Sequence, residues 1–257
     1  MKLNYKTFGE GKPLIILHGL LGSLDNWQTL ARRFSAEFKV YTVDLRNHGK
    51  SPHSEVHSYQ AMADDLLEFL THHQIDKAYF IGHSMGGKAA MQFAILHPQR
   101  VLKLIVVDIA PRTYESKHEA IFDALMKMDL SKITGREEAD AILAETIQDA
   151  SMRQFLLKNL DRNPDGSFRW KMNLKSLWMN YSNINTPLYS ESKIDIPVTV
   201  IRGGLSGYVT ENDLESFKEI FPHTRLITIP GAGHWVHADA PDAFYEIVRN
   251  ELVFSKT

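Results

Sequence analysis

Six short stretches of the chain are apolar or β-branched throughout: residues 14–17 (LIIL), 40–43 (VYTV), 78–81 (AYFI), 104–107 (LIVV), 198–201 (VTVI) and 226–229 (LITI). Each ends at or near a glycine, an aspartate or a Pro-Gly pair. Runs without polar alternation fit strands covered on both faces. Between them, apolar positions recur at helical spacing over roughly 26–34, 59–72, 85–97, 213–220 and 241–252. Pro52 lies in the loop before the second of these, and Pro98 and Pro222 stop the helices they follow. The alternation predicts an α/β fold, a mostly parallel twisted sheet with helices on both faces.

One stretch breaks the rhythm. Residues 112–193 contain no convincing buried strand and read as helical pieces at 116–128, 136–150, 152–160 and 171–181. Asn163-Pro164-Asp165-Gly166 is a strong turn signal between the last two. This reads as a helical insertion between two sheet strands. Its natural place is a lid over the carboxyl edge of the sheet, where open α/β sheets bind ligands.

Composition narrows the possibilities further. The 257 residues, 44% hydrophobic and 23% charged, allow one large α/β domain or two small ones. Lys and Arg number 29 against 31 Asp and Glu, so no basic excess points to nucleic acid or to an anionic membrane surface. With no cysteine in the chain, disulfides, thiolate zinc sites and a cysteine nucleophile are excluded. The N-terminus lacks the apolar core of a signal peptide, and no apolar run approaches the ~20 residues of a membrane helix. A soluble cytoplasmic protein is the expectation.

The chemistry concentrates around Gly82-His83-Ser84-Met85-Gly86. A buried strand runs into this G-x-S-x-G sequence and a helical pattern runs out of it. A serine at such a turn is held in a strained conformation that lifts its hydroxyl clear of the sheet, and the flanking glycines let strand and helix approach. The arrangement resembles the nucleophile elbow of α/β hydrolases. A serine nucleophile needs a base. His234, in Gly231-Ala232-Gly233-His234, follows the last strand and has the right order after Ser84. His237 is its nearest rival and is expected to pack or to line the pocket. No third ligand of convincing spacing makes the two histidines a metal site, and neither metal nor cofactor is expected.

The acid is less obvious. Ser206 stands where an aspartate is expected after the strand at 198–201, and the next carboxylates are Glu211 and Asp213. The strand at 104–107, however, ends in Asp108, which in such a sheet lies next to the histidine loop. Asp108 is the expected orienting acid and Ser206 its supporting hydrogen-bond partner, with Glu211 and Asp213 as alternatives. The expected oxyanion donors are the backbone N–H groups of Leu20, after the first strand, and Met85, after the nucleophile. His18 is expected to bond within its loop. Trp178 and Tyr181 in the insertion are candidates for an apolar substrate trough, and Arg112 for a carboxylate or phosphate. Since Ser84 and His234 must meet, the strands on either side of 112–193 share one sheet. Residues 1–257 are therefore expected to form one domain.

Residues 14–27 (LIILHGLLGSLDNW), 44–51 (DLRNHGKS) and 82–87 (GHSMGG) resemble the α/β-hydrolase superfamily over nearly the whole chain. Asn47 replaces a glycine found in most relatives. Together with VDIAP at 107–111, RGGLSGYV at 202–209 and GAGHWVHAD at 231–239, it makes the chain similar to the YbfF-type esterase branch. The resemblance implies Ser84, Asp108 and His234 as a triad. It also implies hydrolysis of small-molecule carboxylic esters, with acyl-CoA thioesters as a further acyl class. A monomer or dimer is expected. The same triad also supports C–C hydrolysis, lyase chemistry and perhydrolysis, and the scaffold can serve as a non-catalytic ligand receptor. Ser84 argues against the dehalogenases and epoxide hydrolases, whose nucleophile is an aspartate.

Overall fold

A computed structural model describes residues 1–254. Seven strands form the main sheet: β1 (Tyr5–Phe8), β2 (Lys12–Leu17), β3 (Phe38–Val43), β4 (Ala78–His83), β5 (Val101–Val107), β8 (Val198–Gly203) and β9 (Thr224–Ile229). Their order is β1-β3-β2-β4-β5-β8-β9, parallel except for β1, which pairs antiparallel with β3. The six expected strands are all present. The additional strand, β1, lies at the edge, where three of its four residues stay exposed and no continuous apolar run is required.

The apolar runs are explained by cover on both faces. Leu14, Ile16, Ile81, Ile105 and Val107 pack with α1 (Gln28–Phe34) and α11 (Pro241–Arg249). The alternate residues Ile15, Leu17, Phe80, Leu104 and Val106 join a second cluster with α2 (Tyr59–His72), α3 (Met85–Leu96) and α9 (Asp213–Ile220). Successive side chains of a strand point to opposite faces, so each run must be apolar at both parities.

Between β5 and β8 the chain forms α4 (Glu119–Lys127), α5 (Arg136–Ala144), α6 (Ala150–Leu157), β6 (Leu160–Arg162), β7 (Phe168–Trp170), α7 (Leu174–Met179) and α8 (Tyr181–Ile184). This segment, expected to hold no buried strand, adds none to the main sheet. β6 and β7 form a separate antiparallel hairpin around the expected turn, but at three residues each they are too short to show a period. Phe122, Leu125, Leu143, Leu156 and Leu177 of this segment share the cluster of α2 and α3. After β9 a short helix, α10 (Val236–Asp239), precedes α11. Among the described residues, no helix is long and apolar enough to cross a membrane.

Candidate active site

β4 runs directly into Ser84, whose backbone is held at φ 51° and ψ −120°. Residues other than glycine rarely adopt such a conformation. Close approach on both sides sustains it. A Cβ on Gly82 would lie 2.3 Å from the Gly86 carbonyl oxygen, and one on Gly86 would lie 2.5 Å from that of His18. The Ser84 N–H donates to the Val107 carbonyl at 3.0 Å, and the Ser84 carbonyl accepts from Gly87 and Lys88 in the first turn of α3. The nucleophile candidate is thus pinned between two strands and a helix.

Asp108 follows β5, the strand beside β4, and is fully buried. Its Oδ1 accepts from the Gly203 N–H at 3.2 Å, and its Oδ2 accepts from His234 Nδ1 at 2.8 Å and from the Ser206 hydroxyl. A carboxylate at Nδ1 fixes the proton of a neutral imidazole there and leaves Nε2 as the acceptor. The loop bearing His234 reaches Asp108 by crossing the end of β8. A Cβ on Gly203 would meet the Gly233 and Ala232 carbonyl oxygens at 2.1 and 2.5 Å, so this crossing needs glycine. The His83 ring donates from Nε2 to the His234 carbonyl at 2.9 Å, and Tyr208 stacks on the His234 ring at 3.8 Å between centroids. Ser84, Asp108, Ser206 and His234 therefore come from the carboxyl ends of four successive strands: β4, β5, β8 and β9.

The other two carboxylates point elsewhere. Glu211 pairs with Arg202. Asp213 accepts from the Thr210 N–H at 2.8 Å and from Arg112 Nε at 2.8 Å. Asp108 is the carboxylate that meets His234.

The loop after β2 is braced by two histidines that work reciprocally. His18 Nε2 accepts from the Leu45 N–H at 3.0 Å, and His48 Nε2 accepts from the Leu21 N–H at 3.2 Å. Each ring bonds a carbonyl through Nδ1, Gly19 for His18 and Arg46 for His48. Burial holds both imidazoles below their ordinary pKa, so both stay neutral and can act as acceptors. His18 bonds within its loop through Nδ1, as expected, and through Nε2 also reaches the loop after β3. Leu20 lies between these clasps.

Residues 12–241 match the family model described as the alpha/beta hydrolase fold. The chain belongs to the α/β-hydrolase family. It is 42% identical to esterase YbfF of Escherichia coli K12, covering 98% of this chain and 99% of that protein. It is 36% identical to the sn-1-specific diacylglycerol lipase ABHD11 of Danio rerio, over 94% of this chain and 79% of that one. A solved structure, a marine microorganism esterase, superposes with a TM-score of 0.96 at 44% identity, covering 98% of this chain and 99% of that one. The membership expected from the motifs, including the YbfF branch, agrees with these matches.

Two cavities of this hydrolase meet at Ser84. The larger, about 950 Å³, is lined by His234, Trp27, Met152, Phe155 and Trp235 among others. The smaller, about 40 Å³, is lined by Met85, Ile109, Tyr181 and Ile184 among others. Leu20, Ser84, His118 and Tyr208 line both.

Tyr181, one of the expected pocket residues, lies on the smaller cavity. Trp178 and Arg112, the other two expected pocket residues, line neither of these two cavities. Trp178 packs against Phe122 of α4 at 5.3 Å between ring centroids, and the Arg112 guanidinium is held by Asp213 and by the Thr113 and Tyr208 carbonyls. His237 lines the larger cavity and stacks on Trp27 at 4.1 Å between centroids. Burial pushes its pKa down to about 3.

Three further residues carry no motif of their own. Tyr208, two positions after Ser206, stacks on His234. His118 accepts at Nδ1 from the Tyr181 hydroxyl at 2.7 Å, and that phenol oxygen accepts from the Lys117 and His118 N–H groups at 3.1 Å each. This arrangement puts the imidazole proton of His118 on Nε2, and burial, with His234 nearby, pushes its pKa down to about 4. Lys88 is buried and donates to the Arg112 carbonyl at 2.7 Å and the Thr186 carbonyl at 2.6 Å, tying together the two ends of the helical segment. Burial, with the Arg112 charge second, pushes its pKa down to about 7. Only its place after G-x-S-x-G-G distinguishes it in the sequence.

Asn47 sits at φ 66°. Asparagine tolerates this left-handed region better than most residues. Its Oδ1 accepts from the Ser54 N–H at 2.7 Å and from Asn173 Nδ2 at 3.2 Å, and its Nδ2 donates to the Ser176 hydroxyl at 3.3 Å. A glycine could not make these ties to the helical segment.

Proposed function

We propose that this chain is a serine hydrolase of small-molecule carboxylic esters. Ser84 is the nucleophile, His234 the general base and acid, and Asp108 the carboxylate that orients His234. The observation that carries the reading is the 2.8 Å bond between buried Asp108 and Nδ1 of His234, which lines the same cavity as strained Ser84. The esterases and lipase among its relatives support the same chemistry.

In this reading His234 Nε2 takes the Ser84 proton as Oγ bonds to the acyl carbon. The Leu20 and Met85 N–H groups stabilise the developing oxyanion. His234 then gives the proton to the leaving alcohol as the ester C–O bond breaks. Water repeats the attack on the acyl-enzyme, releasing the acid and restoring Ser84. Asp108 stabilises the imidazolium, and Ser206 and the Gly203 N–H hold the carboxylate in place. A thioester follows the same course with a thiol as leaving group. The helical segment between β5 and β8 acts as the lid that shapes the pocket within one domain.

Ser84→Ala tests the reading. Hydrolysis of p-nitrophenyl acetate should fall by at least about 10⁴-fold, and labelling by a serine-reactive phosphonate should vanish. Labelling of another residue at the wild-type rate would reject Ser84 as nucleophile. Tight ligand binding by a wild type that turns over no ester would favour a receptor.

A further inference from the structure

The two cavities at Ser84 differ in size and in their relation to His234. His234 lines the larger; among the described residues, it does not line the smaller. Met85 and Leu20, whose N–H groups face the oxyanion in the proposed mechanism, both line the smaller. The leaving oxygen must receive its proton from His234, so it has to lie on the side that this imidazole faces. The acyl carbon is bonded to Ser84 Oγ with its oxygen toward Leu20 and Met85, and its remaining substituent then points away from His234.

From this geometry we infer that the smaller cavity takes the acyl chain and the larger one the alcohol, so that the enzyme selects esters of short acids with bulky alcohols. The inference rests on the esterase reading above. The smaller cavity, at about 40 Å³, has room for a few water-sized groups, since about 10–15 Å³ is enough for one. Its walls resist expansion. Tyr59, Met85, Ile109, Tyr181 and Ile184 are all buried, and the Tyr59 hydroxyl donates to the Ile184 carbonyl at 2.7 Å, joining α2 to α8. The Tyr181 hydroxyl is fixed by its three bonds to Lys117 and His118. A chain of two to four carbons fits, and a longer one has to displace these contacts or run against the exposed, charged Glu115 and Lys117 that also line the cavity. The larger cavity has apolar cover from Ile121, Met152, Phe155 and Trp235, suited to the body of an aliphatic or aromatic alcohol.

Two substrate series on the wild type test this assignment. In the first, the leaving group is p-nitrophenol and the acid grows from acetate to butanoate, octanoate and dodecanoate. In the second, the acid is acetate and the alcohol grows from ethanol to hexanol and dodecanol. We expect kcat/KM to fall by about 100-fold between butanoate and octanoate, the scale on which a pocket rejects methylenes it cannot hold, and to hold or rise along the alcohol series. Ile184→Ala, which widens only the smaller cavity, should raise octanoate relative to acetate by about tenfold and leave the ratios of kcat/KM within the alcohol series as they are in the wild type, whatever its effect on the absolute rate for acetates. Equal or greater kcat/KM for octanoate and dodecanoate, or a steep fall along the alcohol series, would overturn the assignment while leaving the esterase reading intact. Failure to cleave any member of either series would instead remove the esterase reading itself. The wild-type comparison decides the matter even if Ile184→Ala does not fold.

Discussion

The two sides of Ser84 are built by different means. On the sheet side, position is set by backbone and short polar contacts. Asp108 is bonded by Gly203, Ser206 and His234, the His234 loop is tied to His83, and two neutral histidines clasp the loop that carries Leu20. On the side of the helical segment, the cavity walls are mostly apolar and aromatic, and the polar ties lie at the rim: Lys88 at its two ends, and Asn47 with Asn173 and Ser176 along the flank. Groups that perform chemistry need placement to within a fraction of an ångström. Groups that select a substrate need only a shape. Changes on the sheet side should therefore act on kcat, and changes on the segment side on KM, specificity and stability.

The sharpest test of this contrast is Asp108→Asn. The amide has nearly the shape of the carboxylate but reverses the proton preference at His234 Nδ1, and kcat should drop by about 10⁴-fold with little change in KM. A similar rise in KM in steady-state kinetics would mean that Asp108 shapes the pocket as well, and the contrast would weaken.

Lys88→Met comes next and should act on stability. It leaves the Arg112 and Thr186 carbonyls without their donor. The expected loss is about 2 kcal/mol, a Tm lower by roughly 4–8 °C for a chain of this size. The pH dependence has a definite sign. The folded lysine loses its proton near 7, against 10.5 ordinarily. Between these values the unfolded chain binds the extra proton, so wild-type stability should rise with pH relative to Lys88→Met. Calorimetry at pH 6.5 and 9.5 reads this, and a Tm gap that narrows toward pH 9.5 would contradict it.

The smallest effect separates backbone from side chain at Asn47. Asn47→Gly relieves the positive φ and keeps the backbone bond from the Asn173 N–H, but removes the side-chain ties to Asn173 and Ser176, so stability should change by less than about 1 kcal/mol while KM rises a few-fold. Asn47→Ala loses the ties and keeps the strain, and should be less stable than the glycine variant by about 1 kcal/mol. Equal stability of the two by thermal unfolding would show that φ at this position carries no cost.

Legibility in the sequence follows the same division. The buried strands announce themselves, because being covered on both faces forces an unbroken apolar run. The elbow at Ser84 is visible because its glycines answer to close backbone contacts. The meeting of Asp108 with His234 can be read from strand ends, since β5 lies next to β8 and the histidine loop crosses over β8. β1 escapes notice because an exposed edge strand needs no apolar run. The segment between β5 and β8 is harder still. Trp178 and Tyr181 are three residues apart on two short helices and both pack on Phe122, yet of the two only Tyr181 also lines the smaller cavity. Residue type does not say which face of a short helix meets which neighbour. Tyr208 and His118 matter through stacking and a relayed hydrogen bond, neither of which has a fixed spacing along the chain.

The Lys88 clasp has a consequence in polymer terms. By joining the carbonyls of Arg112 and Thr186, it brings together the two ends of a long excursion of chain, so the sheet meets the segment as a closed loop. The entropy of closing a loop grows only with the logarithm of its length, about 0.6 kcal/mol for each doubling. With its ends pinned in this way, the excursion can be shortened, lengthened or exchanged at small cost to the sheet beneath. The pocket can then diversify over an unchanged catalytic floor.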